Sequence, residues 1–302
     1  MTDPDGRHRT QYDPASADLV LAQAADIVRA TGFAAQHLVV IGGLVPSLLV
    51  PVLDPGLEPH IGTADVDLCL SLALVEGHTG TYERIENVLK QLGFTAGETS
   101  FRWVRRADPP MIVEFFCPAG PDRPAGRIWR PKSAENPIGK HNLGGTLSAL
   151  SLDAGAILTD DVEVVRREVA LPNGKGRVPI ELRVTGLVAF VVAKTQALLK
   201  RDKAKDAYDI VWLIESWPDG PDGAAKAFAA RPTFSAPEVS TALDDLRATF
   251  ADIEAVGSRS YARFLAAHPG EEAALERRAA GAIQEFLTTI EQVRQTSVEK
   301  GS

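Results

Sequence analysis

Apolar and polar residues follow two spacings along the chain, and these spacings predict a set of helices and a set of strands. Helical spacing and helix stop signals predict helices over residues 15–33, 44–53, 81–94, 184–200 and 205–216. Short apolar runs bounded by glycine or proline predict strands over residues 37–43, 64–72, 101–106 and 111–118, the last two joined as a hairpin. Two further β-like runs on either side of Pro172-Asn173-Gly174 predict a second hairpin over 162–182.

The order of these elements predicts an α+β fold, in which helices flank a mixed β-sheet. Beyond Thr185 the pattern is helical to the end of the chain. We therefore expect a core domain over residues 1–182 and a helical C-terminal domain over residues 183–302. Residues 120–145 are rich in proline, glycine and basic residues, which indicates a long functional loop within the core domain.

The composition is that of a soluble globular protein, with 302 residues of which 45% are hydrophobic. The longest apolar stretch, residues 38–53, is interrupted by glycine and proline and is shorter than the roughly 20 apolar residues of a membrane-spanning helix. The polar N-terminal residues lack the apolar segment of a secretion signal, and two cysteines are too few for a disulfide framework. We expect a cytoplasmic protein.

The charge of the chain limits how it can bind nucleic acid. A formal net charge of −8 argues against binding over the whole surface, because phosphate recognition normally requires an excess of lysine and arginine. Basic residues are nevertheless concentrated between Arg123 and Lys140 and between Lys200 and Lys205. Local basic surfaces are therefore compatible with the acidic total.

Asp65 and Asp67 are separated by one residue in the predicted strand 64–72. Because side chains alternate between the two faces of a strand, both aspartates point to one face, while Val66 and Leu68 point to the other, apolar face. Neighbouring carboxylates repel each other, and a bound divalent cation such as Mg²⁺ relieves the repulsion. The alternative is that both lie on the solvated face of an ordinary edge strand.

A third carboxylate, Glu114, lies within the apolar strand 111–118. Burying a glutamate there is costly unless the side chain is paired or coordinated. If this strand lies beside the strand with Asp65 and Asp67, Glu114 joins them at one cation. The alternative is that Glu114 faces solvent.

The pair Gly42-Gly43 lies between a predicted buried strand and a predicted helix. Glycine lets the backbone approach a ligand closely, and free N–H groups at such a turn can bind phosphate. A tight turn with no ligand is the alternative.

Lys194 interrupts an otherwise apolar helix, so it either extends to solvent or neutralises a buried charge. Downstream, Asp206 and Asp209 lie on one helical face, three residues apart. A solvated helix start with favourably placed aspartates is the alternative for the second feature.

In chain order, residues 41–43 (IGG), 63–68 (TADVDL), 112–116 (IVEFF) and 193–210 (AKTQALLKRDKAKDAYDI) resemble the nucleotidyltransferase toxins of the AbiEii and MenT type. These toxins are members of the polymerase-β-like nucleotidyltransferase superfamily. The likeness spans residues 36–215, and the C-terminal third is similar only in general character. It implies the nucleotidyltransferase fold and transfer of a nucleotide from a nucleoside triphosphate, with release of pyrophosphate.

The resemblance also implies roles for individual residues. The implied catalytic residues are Asp65, Asp67, Lys194 and Asp209, with Asp206 as a neighbour. The implied Mg²⁺ ligands are Asp65 and Asp67, with Glu114 as the third carboxylate. The implied nucleotide-binding residues are Gly42, Gly43, Ser47 and Arg201.

Three positions differ from the family pattern or add to it. Leu44 follows the glycine pair where many members have serine or threonine, so a hydroxyl must come from Ser47 or be absent. Glu114 stands where polymerase-β relatives generally have aspartate, which argues against a direct role as the base. Thr63 lies where related toxins carry a hydroxyl that a kinase-like antitoxin phosphorylates, so we expect a regulatory phosphosite there.

In this family the acceptor is typically the 3′ end of transfer RNA, and the modified tRNA no longer supports translation. We therefore expect a Mg²⁺-dependent toxin of a toxin–antitoxin pair, with tRNA and an antitoxin as partners and no membrane association. Basic residues at 123–140 and at Arg166, Arg167, Lys175 and Arg177 either hold the RNA backbone or are simply solvated. The alternatives are a small-molecule nucleotidyltransferase of the antibiotic-modifying type and a non-catalytic interaction protein on the same scaffold.

Overall fold

The computed structural model describes residues 8–12, 14–70, 79–107, 110–121, 123–130, 147–174 and 176–301. The chain divides into two compact units. The first contains Pro14–Val45 and Gly62–Thr185, and the second contains Pro46–Ile61, the chain from Gly186 onward and residues 8–12. The segment 46–61, which the sequence pattern placed in the core domain, thus belongs to the second unit.

The strands of the described chain all lie in the first unit. They are β1 (Leu38–Ile41), β2 (Asp65–Leu70), β3 (Thr95–Ala96), β4 (Arg102–Arg105), β5 (Met111–Pro118), β6 (Ile128–Trp129), β7 (Ala149–Leu152), β8 (Val162–Ala170) and β9 (Arg177–Thr185). The helices are α1 (Pro14–Thr31), α2 (Val45–Leu49), α3 (Thr79–Gln91), α4 (Ile157–Asp160), α5 (Leu187–Lys200), α6 (Ala204–Ser216), α7 (Gly220–Ala229), α8 (Pro237–Thr249), α9 (Val256–Leu265) and α10 (Glu272–Gly301).

One mixed sheet organises the first unit, in the order β3-β4-β5-β2-β1-β9-β8, with β7 beside β5 and β6 beside β7. The pairs β2/β5, β1/β9 and β5/β7 are parallel, and the other pairs are antiparallel. This arrangement confirms the predicted α+β class with a mixed sheet. The parallel pair β2/β5 places the predicted carboxylate strands side by side.

One face of the central strands is core, as the alternation predicts. Val66 and Leu68 of β2 and Val113 and Phe115 of β5 are each 0% exposed. The residues between them in sequence point to the opposite face. The apolar face therefore fixes the register, because a slip of one residue would place the acidic face in the core.

Helix α1 covers the long hairpin formed by β8 and β9. Its small residues Ala22 and Ala25 pack against Val169 and Leu171 in one buried cluster, and Leu21, Val178 and Ile180 lie at its edge. Alanine at the contact allows the helix backbone to approach the hairpin closely. The predicted hairpin over 162–182 is confirmed, with a short 3₁₀ turn over Pro172–Gly174.

Two other predictions differ in detail from the structure. Residues 120–145 were expected to form a loop, but β6 lies within this range and pairs antiparallel with β7. A strand of two residues is too short to show an alternating pattern, so the sequence did not indicate it. Residues 131–145 of the expected loop lie outside the described residues. Two residues of the turn expected between β4 and β5 also lie outside them, but the two strands pair antiparallel as expected.

The second unit is helical, with α6 at its centre. Helix α6 contacts α5, α7, α9 and α10, and nearly all its residues are buried. Lys205, Asp206 and Asp209 are among these buried residues, so their charges require partners inside the protein. In the described part of the chain, no helix has both the length and the apolar composition needed to cross a bilayer.

Candidate active site

Three carboxylates meet on one face of the sheet in the first unit. Asp67 of β2 is directly opposite Glu114 of β5, and Asp65 is opposite Ile112. Oxygens of Asp65, Asp67 and Glu114 all lie within 4.8 Å of one another. The two aspartates are half-buried, and the Glu114 side chain is 12% exposed, so Glu114 does not simply face solvent. The strand register thus assembles the predicted acidic cluster.

Glu114 has an arginine partner that the sequence did not reveal. Arg102 of β4 is opposite Glu114 on the side away from β2. Its Nε donates to Glu114 Oε1 at 2.6 Å, and its Nη2 lies 2.6 Å from the same oxygen. The third carboxylate therefore lies between a cation on one side and two aspartates on the other.

Thr63 forms a hydrogen bond with Asp65, one of the two aspartates. Its Oγ1 donates a hydrogen bond to Asp65 Oδ1 at 2.7 Å, and the residue is only 5% exposed. Because a hydroxyl fixed by burial has few alternative positions, this contact orients the Asp65 carboxylate. The predicted phosphosite and the predicted metal ligand are thus in direct contact.

The first residue of the predicted glycine pair lies against Asp67. Gly42 follows Ile41, which is paired with Asp67, and has a φ of +73°. A Cβ placed on Gly42 would overlap the Asp67 carboxylate. Glycine is required here for two reasons, since other residues rarely adopt this φ and any side chain would displace the carboxylate.

A second cluster of charges lies in the second unit, around Lys194 of α5. The Lys194 side chain is 10% exposed, and its Nζ lies 2.8 Å from Asp206 Oδ1 and 2.6 Å from Asp209 Oδ2. Lys194 therefore neutralises buried carboxylates and does not extend to solvent. The two aspartates predicted to share a helical face do so, and both point at this lysine.

Asp209 is completely buried and has two further partners. Its Oδ1 lies 2.6 Å from Lys205 Nζ and 2.9 Å from His60 Nε2. The His60 ring is stacked on Tyr208 with a centroid distance of 5.1 Å, and it meets the Trp212 ring edge-on at 4.9 Å. Asp209 is thus the centre of a buried network that the sequence alone did not predict.

The protonation of this network follows from burial and charge. Burial lowers the pKa of Lys194, but the carboxylates of Asp206 and Asp209 outweigh it and raise the pKa above its usual value. Burial also lowers the pKa of Lys205, an effect that Asp209 only partly offsets. Burial raises the pKa of Asp209, but the neighbouring cations and the His60 hydrogen bond hold it well below its usual value.

Burial lowers the pKa of His60 to about 4, although its hydrogen bond with Asp209 acts in the opposite direction. His60 is therefore neutral near pH 7. Since an ionised carboxylate can only accept a hydrogen bond, the proton of the neutral ring must be on Nε2, which lies next to Asp209. His60 supplies a hydrogen bond to Asp209 without adding a charge.

The predicted nucleotide-binding residue Arg201 is also engaged within the second unit. Its Nε and Nη2 donate to the two carboxylate oxygens of Asp206 at 2.7 and 2.8 Å, while about half of its side chain is exposed. Burial raises the pKa of Asp206, but Lys194 and Arg201 outweigh it and lower the pKa. Ser47 lies in α2 and is half-buried.

The basic residues proposed for RNA contact are partly neutralised. On the exposed face of the β8–β9 hairpin, Arg166 lies 3.1 Å from Glu181 and Arg177 lies 3.6 Å from Glu168. The Arg123 guanidinium lies over the Trp129 ring at 5.2 Å. Lys175 and residues 131–140 lie outside the described residues. The described hairpin therefore does not form a strongly basic surface.

A family model for the nucleotidyl transferase AbiEii toxin of type IV toxin–antitoxin systems matches residues 65–289, which is most of the chain. The chain belongs to this family. The AbiEii match begins at the first aspartate of the acidic cluster and includes Lys194 and Asp209, and it confirms the resemblance noted from the motifs. No match was found among curated proteins or among solved structures.

Several residues of the two clusters were not predicted from the sequence as site residues. Lys205 was detectable in principle, because it precedes Asp209 by four residues on one helix. Arg102 depended on the register of β4 against β5. His60, just before the matched range, is 149 residues from Asp209 and left no local signal.

Proposed function

We propose that this AbiEii toxin is a Mg²⁺-dependent nucleotidyltransferase that transfers a nucleotide from a nucleoside triphosphate to an RNA acceptor. The proposed acceptor is the 3′ end of tRNA, and a tRNA that carries an added nucleotide at this end no longer supports translation. The observation that carries the proposal is the acidic cluster of Asp65, Asp67 and Glu114, with oxygens within 4.8 Å of one another on adjacent parallel strands.

The donor set suits magnesium. Carboxylate oxygens are hard ligands, and Mg²⁺ in nucleotide-dependent enzymes is typically held by one or two carboxylates together with substrate phosphates. Asp65 and Asp67 would hold the ion, with Glu114 completing the acidic cluster. When bound, the ion supplies positive charge that stabilises the triphosphate and the pyrophosphate leaving group.

The residues of the first unit have separate tasks in this reaction. An acceptor hydroxyl oxygen forms a bond to the α-phosphorus as the bond to the β-phosphate oxygen breaks, so that pyrophosphate leaves and the hydroxyl proton passes to solvent. Asp65 is oriented by Thr63, and Asp67 lies against Gly42, so both carboxylates are positioned before substrate arrives. We also assign the turn Gly42-Gly43 to nucleotide binding, as the motif order implies, and we assign the same role to Ser47, which belongs to the second unit.

We propose that Lys194 and Asp209 serve the same reaction, with Lys194 as a cation for the triphosphate and Asp209 as its partner. Support comes from their burial and from their ion pair at 2.6 Å, which together fix the ammonium group. Asp206 and Arg201 extend this network, and we assign Arg201 a phosphate contact through its exposed half.

We further propose that Thr63 is a site of regulation by phosphorylation, with an antitoxin acting through it. Its hydroxyl contacts Asp65, so a phosphate there would add negative charge beside both aspartates and oppose nucleotide binding. Since Thr63 is buried, the modifying enzyme must act on a form in which it is exposed. Thr63→Glu should abolish transfer while Thr63→Ser retains it, and full activity of Thr63→Glu would refute the proposal.

The experiment that tests the function uses each radiolabelled nucleoside triphosphate, Mg²⁺ and total cellular RNA. We expect label from one nucleotide in the tRNA band. Label on an aminoglycoside acceptor and none on RNA would instead favour the small-molecule transferase. Label on neither acceptor, from protein shown to be folded, would contradict both activities.

A further inference from the structure

A row of paired residues crosses three strands of the first unit, and it places an arginine next to the acidic cluster. Arg102 of β4 is opposite Glu114 of β5, which is opposite Asp67 of β2. All three side chains therefore lie on one face of the sheet. Arg102 is at the outer end of this row, and its side chain is 32% exposed.

Two nitrogens of Arg102 contact the same oxygen of Glu114. Both Nε and Nη2 of Arg102 lie 2.6 Å from Glu114 Oε1. Arginine is charged at every relevant pH, and such charge-assisted contacts are the strong ones. A metal ion bound to either oxygen of Glu114 would share this carboxylate with the guanidinium, and the two cations would then lie close together and repel each other.

We propose that Arg102 withholds Glu114 from the metal ion, so that the ion is bound by Asp65 and Asp67, and Glu114 stays paired with Arg102. The proposal rests on the proposed function to the extent that a divalent cation binds at the two aspartates. Arg102 is then a positioning residue for the cluster and not a catalytic one.

The charges of these side chains give the proposal a consequence that can be measured. Three carboxylates and one guanidinium carry a net charge of −2, which one divalent cation neutralises. Loss of the guanidinium would leave the cluster at −3 and free a third ligand. Cation affinity should therefore rise when Arg102 is neutralised, and this rise should require Glu114.

The test is titration of the purified full-length protein with Mn²⁺, with free Mn²⁺ followed by electron paramagnetic resonance. The variants are Arg102→Gln, Arg102→Lys and the double variant Arg102→Gln/Glu114→Gln. The double variant is matched in charge to the wild type, because it replaces an ion pair with two neutral amides. It also avoids the uncompensated Glu114 that could unfold Arg102→Gln.

We expect Arg102→Gln to bind Mn²⁺ about tenfold more tightly, as Coulomb's law suggests for removal of a charge several ångströms from the ion. The double variant and Arg102→Lys should stay within about threefold of the wild type. A fall of tenfold or more in the double variant would show that Glu114 is a ligand and would overturn the proposal. If Arg102→Lys gained as much Mn²⁺ affinity as Arg102→Gln, the gain would not come from loss of the positive charge, and the proposal would be overturned.

Failure of this inference can be separated from failure of the proposed function. Mn²⁺ binding does not require transfer, so inactive protein that follows the predicted order of affinities would refute only the activity. Binding by Arg102→Gln but not by the wild type would overturn the inference, because Asp65 and Asp67 would then not hold the ion without Glu114. Binding by neither would overturn the inference together with the proposed metal site.

Discussion

The carboxylate of Asp67 occupies the space where a side chain at residue 42 would be. Ile41 is paired with Asp67 across β1 and β2, and the chain then turns through Gly42 at a φ of +73°. A Cβ on Gly42 would overlap the carboxylate. The turn and the acidic cluster therefore depend on each other, because the Asp67 carboxylate can take this position only if residue 42 has no side chain.

This relationship predicts the effect of Gly42→Ala. The positive φ alone should cost about 1–2 kcal/mol of folding free energy, and the overlap should also displace Asp67. We expect nucleotidyl transfer and Mn²⁺ affinity each to fall by about a hundredfold, as when a catalytic group is misplaced by about an ångström. Urea unfolding, Mn²⁺ titration and labelled transfer measure the three quantities.

Gly126 provides the matched control. It has nearly the same φ, +74°, but nothing lies within 4 Å of an added Cβ. Gly126→Ala should therefore show the conformational cost and retain both Mn²⁺ binding and transfer. Equal losses of Mn²⁺ affinity in the two variants would show that the contact between Gly42 and Asp67 is not what positions the aspartate.

The buried ion pairs of Lys194 predict a large effect on stability. Lys194→Met removes the cation that lies within 2.8 Å of both Asp206 and Asp209. Breaking a buried pair by removing one partner typically costs about 3–5 kcal/mol, because a charge is left without compensation. Urea unfolding at pH 7 should show a loss of about 3 kcal/mol.

Arg201→Gln is the control for Lys194→Met. It removes a cation from Asp206 as well, but the side chain is half exposed, so water can replace it. We expect a loss below about 1 kcal/mol. Similar losses for the two variants would contradict the assignment of Lys194 as the central cation of this network.

His60 predicts a stability change between pH 7 and pH 5. Its pKa is about 4 in the folded protein and 6.5 without burial, so the unfolded chain binds the proton first as the pH falls. A depressed histidine pKa destabilises the folded state progressively below pH 6.5, down to about pH 4. His60 should account for about 2 kcal/mol of the stability lost between pH 7 and pH 5.

The comparison is between the wild type and His60→Gln, which keeps a donor for Asp209 and does not titrate. The variant is less stable at pH 7 because it loses the aromatic contacts with Tyr208 and Trp212, but its stability should change less with pH. Urea unfolding of both proteins at pH 7 and pH 5 gives the difference. An identical pH dependence would mean that His60 has the same pKa in the folded and unfolded states, so that burial does not lower it.

The sequence predicts which residues share a face of a strand or a helix, because alternation and helical periodicity determine this locally. Asp65 and Asp67 were placed on one face of β2, and Asp206 and Asp209 on one face of α6, because strand and helix geometry are local. Their partners depend on contacts distant in sequence. Arg102 reaches Glu114 through strand register, and His60 reaches Asp209 across 149 residues.

The same limit explains the segment 46–61. It contains most of α2 and lies between β1 and β2 in sequence, which favours a place in the sheet domain. Hydrogen bonds attach it to α6 instead, since Trp212 Nε1 donates to Glu58 O at 3.0 Å and Ile61 N donates to Tyr208 Oη at 2.9 Å. No local pattern of proline, glycine and apolar residues specifies such contacts.

The central claim is that the acidic cluster of the first unit carries out nucleotidyl transfer. The direct measurement is the transfer of labelled nucleotide to total RNA with Mg²⁺, by wild type, Asp67→Asn and Asp160→Asn. Asp160 is an exposed aspartate of the same unit and serves as the control. The account predicts labelled tRNA with wild type and Asp160→Asn, and a loss of at least about a thousandfold with Asp67→Asn. Equal labelling by Asp67→Asn and wild type would contradict it.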